Sequence, residues 1–101
     1  MQFLIHALDS TKEGTLERRM SVRPMHLEHV AGYRENGHVI GAGGILNDSG
    51  DMIGSFLVME FDSRAELDEY IAGEPYVVNG VWEDVRVESV NVVIRDGQKV
   101  R

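Results

Sequence analysis

Two segments of the chain hold residues whose types and spacing suit proton transfer. The first is Arg23-Pro24-Met25-His26-Leu27, and in the second Glu74 precedes Pro75 and Tyr76. Proline favours the first turn of a helix, so the spacing predicts a helix that begins at Pro24. His26 would then lie in the opening turn, where the positive end of the helix dipole favours a neutral imidazole. A neutral imidazole can accept a proton, which makes His26 a candidate general base.

Glu74 is the candidate partner of this histidine. A carboxylate bonded to one imidazole nitrogen fixes the tautomer and raises the basicity of the other nitrogen. Ser55, or backbone N–H groups near Gly43, could hold an oxygen on which negative charge develops. Together with Tyr76 and Arg23, these residues are the predicted substrate-binding set.

Other interpretations of the same residues remain open. Taken singly, His26 can be a structural residue at a packing boundary, Glu74 a helix-terminal acid, and Ser55 an ordinary strand residue. His26, His29 and Glu74 could form a two-histidine, one-carboxylate metal site, but an i, i+3 histidine pair is weakly specific. We therefore expect no metal and no cofactor.

Two further motifs are incomplete. The glycine-rich run over residues 41–44 lacks the Lys-Ser/Thr that follows a phosphate-binding loop. The chain also has no Gly-x-Ser-x-Gly elbow, so a serine nucleophile is not expected.

Composition narrows the classes of partner. Seventeen acidic and ten basic side chains give a formal net charge of −7, which disfavours nucleic acid and anionic membrane. The chain has no cysteine, so it can form neither a disulfide nor a thiolate metal site. Its N-terminus lacks the pattern of a signal peptide, and no apolar run approaches the ~20 residues that span a bilayer. We expect a cytoplasmic protein.

The pattern of apolar and turn-forming residues predicts one domain over residues 1–95 and a polar tail over residues 96–101. The predicted elements of the first half are a strand over Phe3–Leu8, a short helical segment over Leu16–Met20, a helix over Pro24–Glu35 with Leu27, Val30 and Ala31 on its apolar face, and a strand over His38–Gly43. Those of the second half are a strand over Ile53–Phe61, a helix from the capping box at Ser63 to Gly73, a single turn from Pro75 to Gly80, and a strand over Glu83–Ile94 with a bulge, a bend or a change of partner near Glu88-Ser89.

This order, β-α-β-β-α-β, predicts a ferredoxin-like α+β fold with an antiparallel sheet and both helices on one face. The other face also looks apolar, because Leu4 and Leu8 lie opposite Phe3 and Ile5 in the strand alternation. One layer of helices cannot bury both faces. The sequence therefore predicts a homodimer whose sheets pack face to face.

The motifs Arg-Pro-Met-His-Leu at 23–27, Gly-Ser at 54–55 and Gly-Glu-Pro-Tyr-Val at 73–77 resemble the YCII-related (YciI-like) family, from Phe3 to about Val92. The resemblance implies a ferredoxin-like fold that dimerises through its sheets, as in the dimeric α+β barrel group. It also implies an active-site cleft with a His-Asp pair, which maps to His26 and Glu74, and a nearby serine, which maps to Ser55. Family members usually carry aspartate where this chain has Glu74.

Two functions follow as hypotheses. The first is a small cofactor-independent enzyme that performs lyase-like or isomerase-like proton transfer on a small organic substrate, with His26 and Glu74 as the acid-base pair. The second is a non-catalytic dimeric domain that binds a small ligand or an anion. A fold that is shared by many activities does not decide between them.

Overall fold

The computed structural model describes residues 1–100 and contains a four-stranded antiparallel sheet with three helices on one face. In chain order the elements are β1 (Gln2–Asp9), α1 (Thr15–Glu35), β2 (Val39–Leu46), β3 (Met52–Glu60), α2 (Arg64–Gly73), α3 (Pro75–Val78), β4 (Trp82–Val90), β5 (Ile94–Arg95) and β6 (Gln98–Lys99). The order of strands across the sheet is β2-β3-β1-β4, so β1 is central and pairs with both β3 and β4. The ferredoxin-like α+β fold predicted from the sequence is confirmed.

The core lies between the sheet and the helices. Alternate residues of β1, namely Phe3, Ile5 and Ala7, are buried on the helical face, and Leu57 and Met59 of β3 lie beside them. The helices add Val22 from α1, Leu67 and Tyr70 from α2, and Tyr76 from α3. The strand period of two places these core residues on one face of the sheet.

The helix α1 is continuous through Pro24, so the predicted helix start at Pro24 is wrong. Residues 19, 22, 26, 30 and 33 are buried or half-buried, and their spacing of three or four keeps them on one face of the helix. Proline deprives the Met20 carbonyl of its helical N–H partner, but Met20 is 51% exposed and water can replace that donor. Leu27, predicted on the apolar face, is 47% exposed.

The C-terminal region also differs from the prediction. β4 ends at Val90, and its register against β1 is unbroken through Glu88 and Ser89, where a bulge, a bend or a change of partner was predicted. The irregularity lies at the other end of the pair, between Leu8 and Asp9. After Val90 the chain leaves the four-stranded sheet, and β5 pairs with β6 in a small hairpin whose turn spans residues 96–97. The boundary predicted at residue 95 passes through this hairpin, and Arg101 lies outside the described residues.

The face of the sheet that lies away from the helices, here called the outer face, is partly apolar. Leu4 and Leu8 of β1 and Val58 of β3 lie there half-buried, and Phe56 is 37% exposed. Arg86 and Glu88 of β4 occupy the same face opposite His6 and Leu4. Within residues 1–100 no helix is both long and apolar enough to cross a membrane.

The glycine at position 54 allows the close approach of β1 and β3. A Cβ atom at Gly54 would lie 2.4 Å from the backbone oxygen of Ala7, far inside van der Waals contact. Gly54→Ala must therefore push these two central strands apart, and Ser55 with them. We expect it to lower the free energy of unfolding by about 1–3 kcal/mol, measured by chemical denaturation.

Gly41→Ala is the matched control, because a Cβ atom at Gly41 meets no atom within 4 Å. Its unfolding midpoint should remain near that of the wild type, or rise slightly through the lower entropy of the unfolded chain. Equal stability of the two variants would contradict this account of Gly54.

Candidate active site

His26 and Glu74 form a short hydrogen bond across the interface of α1 with the α2–α3 junction. His26 Nδ1 lies 2.6 Å from Glu74 Oε1. The glutamate side chain is fully buried, and the histidine side chain is 12% exposed. The packing of α1 and α3 on the same face of the sheet brings together two residues that are 48 positions apart in the chain.

Two other donors hold the Glu74 carboxylate. The Tyr70 hydroxyl donates to Oε2 at 2.6 Å, and the backbone N–H of Tyr76 donates to Oε1 at 3.2 Å. Burial raises the pKa of Tyr70 far above its usual value, and the neighbouring Glu74 charge raises it further, so this hydroxyl keeps its proton. An ionised carboxylate only accepts hydrogen bonds, so His26 Nδ1 must be the donor. In the neutral imidazole, Nε2 is therefore the nitrogen without a proton.

His26 lies near the middle of α1, not in its first turn. The expectation that the helix dipole tunes this imidazole is therefore wrong, because the dipole acts within the terminal turns. The electrostatic partner of His26 is Glu74. Glutamate in place of the family's usual aspartate still reaches the imidazole, and the same side chain caps the N-terminus of α3 through Tyr76 N–H.

Aromatic rings fix the plane of the imidazole. Tyr76 stacks on His26 with ring centroids 4.1 Å apart and an interplanar angle of 19°. Trp82 meets His26 edge-on at 6.2 Å. Because the ring is held by a hydrogen bond and by stacking, the position of Nε2 is set before any ligand arrives.

Ser55 belongs to a second polar network that the sequence did not reveal. Its Oγ accepts a hydrogen bond from Arg19 Nη2 at 2.6 Å and another from Trp82 Nε1 at 3.3 Å. Arg19 Nη1 also contacts both carboxylate oxygens of Asp9, at 2.8 and 2.9 Å. Burial raises the pKa of the Asp9 carboxyl, and the attraction of Arg19 opposes this effect.

Arg19 links the two networks, because its guanidinium lies over the Tyr76 ring at 4.7 Å. Sequence reasoning missed it by assigning residues 16–20 to a separate segment. Arg19 precedes His26 by seven positions, which is two turns of one helix, so a continuous α1 would have placed both side chains on one face. No comparable local signal identifies Asp9 or Trp82.

A cavity of about 220 Å³ opens between α1 and the strands β2 and β3. Five of the predicted site residues line it, namely Arg23, His26, Gly43, Ser55 and Tyr76. Small-molecule pockets commonly have volumes of about 300–1,000 Å³, so this cavity suits a small ligand.

The predicted substrate-binding residues differ in their surroundings. Arg23 is exposed and forms no ion pair within residues 1–100. Gly43 lies in β2 opposite Phe56, so the glycine-rich run is a strand and not a loop. Burial raises the pKa of Tyr76, although Arg19 and Arg23 act in the opposite direction.

His29 does not join His26 and Glu74. Its Nε2 lies 3.2 Å from the backbone oxygen of Tyr70, and its ring stacks on the Tyr70 ring with centroids 5.0 Å apart. In the described part of the chain, no three His, Cys, Asp or Glu side chains are grouped so that they could hold a metal ion.

Comparison of the sequence with known proteins identifies one family. Residues 1–91 match the YCII-related domain. Protein YciI of Escherichia coli O6:H1 is 35% identical over 94 residues, which cover 87% of this chain and 94% of that protein. Protein YciI of Shigella flexneri has the same identity and coverage.

Among solved structures, that of an enzyme is similar to this chain over most of its length. A 5-chloro-2-hydroxyhydroquinone dehydrochlorinase (TftG) from Burkholderia phenoliruptrix AC1100, in complex with 2,5-dihydroxybenzoquinone, superposes with a TM-score of 0.79. The two sequences are 28% identical, and the match covers 90% of this chain and 94% of that one. An antibiotic biosynthesis monooxygenase has a TM-score of 0.54 at 21% identity, covering 93% of this chain and all of that one, and shares the fold alone.

The hydrogen bond from Tyr70 to Glu74 should contribute measurably to stability. Tyr70→Phe removes one donor from a fully buried carboxylate, and we expect the free energy of unfolding to fall by about 1–3 kcal/mol. Tyr33→Phe is the matched control, since no hydrogen bond of the Tyr33 hydroxyl is found in residues 1–100. A Tyr70→Phe variant as stable as the control in urea denaturation would contradict the carboxylate geometry described above.

The tautomer of His26 can be observed directly. Because Nδ1–H donates to Glu74, the neutral ring should carry its proton on Nδ1, the less common form of free histidine. Two-bond ¹⁵N–¹H correlation spectra should show this pattern for His26. A neutral ring with its proton on Nε2 would overturn the arrangement.

Proposed function

Because the chain belongs to the family of YCII-related domains, we propose that it is a small enzyme that moves protons on a small organic substrate. The observation that supports this proposal most strongly is the His26–Glu74 hydrogen bond beside a cavity. It leaves His26 Nε2 free of protein partners within residues 1–100, and His26 lines the cavity. The comparison with TftG, which is a dehydrochlorinase, supports a lyase-like reaction.

In the proposed reaction His26 Nε2 takes a proton from the substrate, and the imidazole becomes imidazolium. Glu74 stabilises the new positive charge without itself accepting the proton. The electron pair of the broken bond then forms an enolate, or it expels a leaving group such as chloride in an elimination. The proton returns from Nε2 to another substrate atom in an isomerisation, or it passes to solvent after an elimination.

The other cavity residues would position the substrate. Ser55 and the backbone at Gly43 lie on the sheet side, and Tyr76 offers a buried phenol. Arg23 offers a cation that has no ion-pair partner in the described part of the chain. The reacting atoms must be held near His26 Nε2, since effective orientation contributes as much to rate as the base itself.

A homodimer that packs through the outer faces of two sheets is part of this proposal. Leu4, Leu8 and Val58 lie on that face, and none of the helices in residues 1–100 covers it. Burial of these side chains against a second copy removes apolar surface from water, which favours association.

The alternative function is anion or small-ligand binding without catalysis. Arg23 supports it, because this arginine lines the cavity and has no ion-pair partner within residues 1–100. The two functions share the cavity and differ only in whether His26 transfers a proton.

Hydrogen–deuterium exchange on 2,5-dihydroxybenzoquinone tests for that transfer. Each ring CH carbon of this compound belongs to an enol, so it can take a deuteron from deuterated His26 imidazolium to give a CHD group next to a carbonyl. The neutral imidazole then removes the proton from that group, which restores the ring with deuterium in place of hydrogen. In D₂O the wild-type protein should accelerate the loss of the ring ¹H NMR signal. His26→Ala should lose about 10²–10⁴-fold of that acceleration, which is the usual contribution of a general base.

His38→Ala serves as the control, because His38 contacts Glu60 O and does not line the cavity. It should exchange the ring protons as the wild type does. Exchange by His26→Ala at the wild-type rate would refute the proposed base. A wild-type protein that binds the compound without accelerating exchange would favour the binding domain.

The dimer can be tested with two valine substitutions. Val58→Glu places a charge in the middle of the outer face, where its burial without a partner would cost several kcal/mol. We expect sedimentation to show this variant as a monomer at concentrations at which the wild type is a dimer. Val78→Glu, on α3 and 69% exposed, should leave the dimer intact. A wild-type monomer at micromolar concentration would contradict the dimer.

A further inference from the structure

The hydrogen bonds of Ser55 restrict what its hydroxyl can do. A serine hydroxyl has two acceptor sites and one donor. Arg19 Nη2 and Trp82 Nε1 both donate to Ser55 Oγ, so both acceptor sites are occupied. Ser55 is 2% exposed, and it lines the cavity. The only hydrogen-bonding function left to it is donation, and no acceptor for its proton is found among residues 1–100.

Two protein groups hold the hydroxyl in this state. The Asp9 carboxylate fixes Arg19 through both of its oxygens, so the guanidinium cannot turn away from Ser55. Trp82 lies outside the cavity lining, so its N–H reaches a ligand only through Ser55. The guanidinium also withdraws charge from Oγ, which strengthens the hydroxyl as a donor.

Basic side chains line the cavity, although the chain as a whole is acidic. The chain has a formal net charge of −7, yet within the described residues the cavity is lined by Arg19, Arg23 and His26 and by no aspartate or glutamate. An anionic ligand oxygen in this cavity would meet the Arg23 cation and the Ser55 hydroxyl, neither of which has an acceptor among residues 1–100.

We propose that Ser55 donates its hydroxyl proton to an anionic oxygen of the substrate, and that Arg19 and Trp82 are positioning residues that fix it as a donor. The inference rests on the proposed function and names its substrate class: a small molecule with an enolate, phenolate or hydroxyquinone oxygen. When His26 removes a proton from the carbon next to the carbonyl form of such a group, an enolate forms, and Ser55 O–H stabilises the negative charge on its oxygen.

Titration calorimetry with 2,5-dihydroxybenzoquinone tests whether the Ser55 hydroxyl donates a hydrogen bond to the ligand. This compound is a vinylogous acid and is anionic at neutral pH. Ser55→Ala removes the donor, and we expect its affinity to fall about 10- to 100-fold, the range for a hydrogen bond to a charged group. Ser55→Thr keeps the hydroxyl and should retain most of the affinity.

A neutral probe isolates the contribution of the charge. In 2,5-dimethylbenzoquinone, methyl groups replace the two ionised hydroxyls on the same ring. We expect the wild-type protein to bind it more weakly than the dihydroxy compound, and Ser55→Ala to change its affinity much less.

A double-mutant cycle tests the positioning role. Trp82→Phe keeps an aromatic ring but removes the N–H that occupies one acceptor site of Ser55. We expect it to weaken binding of the dihydroxy compound about 3- to 10-fold, because the hydroxyl becomes free to rotate. In the Ser55→Ala background the same substitution should have no further effect. A merely structural role of Trp82 would weaken binding equally in both backgrounds.

The outcomes separate this proposal from the proposed function. Equal affinity of the wild type and a folded Ser55→Ala variant for the dihydroxy compound would show that Ser55 is not the donor. Absence of binding by the wild type would also contradict the proposal. If Ser55→Ala does not fold, the wild-type preference for the dihydroxy over the dimethyl compound and the loss of affinity in Trp82→Phe still decide the question. Loss of binding in Ser55→Ala together with exchange that is unchanged in His26→Ala would support Ser55 as the donor and reject His26 as the base.

Discussion

The buried carboxylate of Glu74 is the group on which the rest of this structure depends. A carboxylate that is removed from water destabilises the fold unless donors replace the lost solvent. Here the donors come from three places: His26 on α1, Tyr70 on α2, and the backbone of Tyr76 on α3. The requirement to satisfy one side chain therefore fixes the relative positions of all three helices.

This arrangement couples stability to the site. The Tyr70 hydroxyl cannot ionise under ordinary conditions, because burial and the neighbouring charge both raise its pKa. It therefore acts as a permanent donor, and the carboxylate remains an acceptor for His26. The tautomer of the imidazole follows from the packing of α2, which itself does not touch the cavity.

Tyr76 joins the two polar networks. Its backbone N–H contacts Glu74, its ring stacks on His26, and the guanidinium of Arg19 lies over the same ring. One network offers a proton acceptor at His26 Nε2, and the other offers a proton donor at Ser55. Both groups line one cavity, as the proposed proton transfer and stabilisation of charge require.

The sequence by itself determined the order of elements and hence the fold, because apolar alternation, a capping box and turn residues are local signals. It also predicted that His26, Glu74, Ser55, Tyr76, Arg23 and Gly43 belong to one site. The start of α1 predicted from the sequence is wrong. The preference of proline for the first turn of a helix is a local signal. The buried face of α1, which continues from Arg19 to Tyr33, forms only when the helix packs on the sheet.

Only the tertiary structure decided that Glu74 reaches His26, because a distance between residues far apart in the chain depends on how the helices pack. The same holds for Arg19, Asp9 and Trp82. These residues come from three different elements, and no spacing in the chain shows that their side chains meet at Ser55.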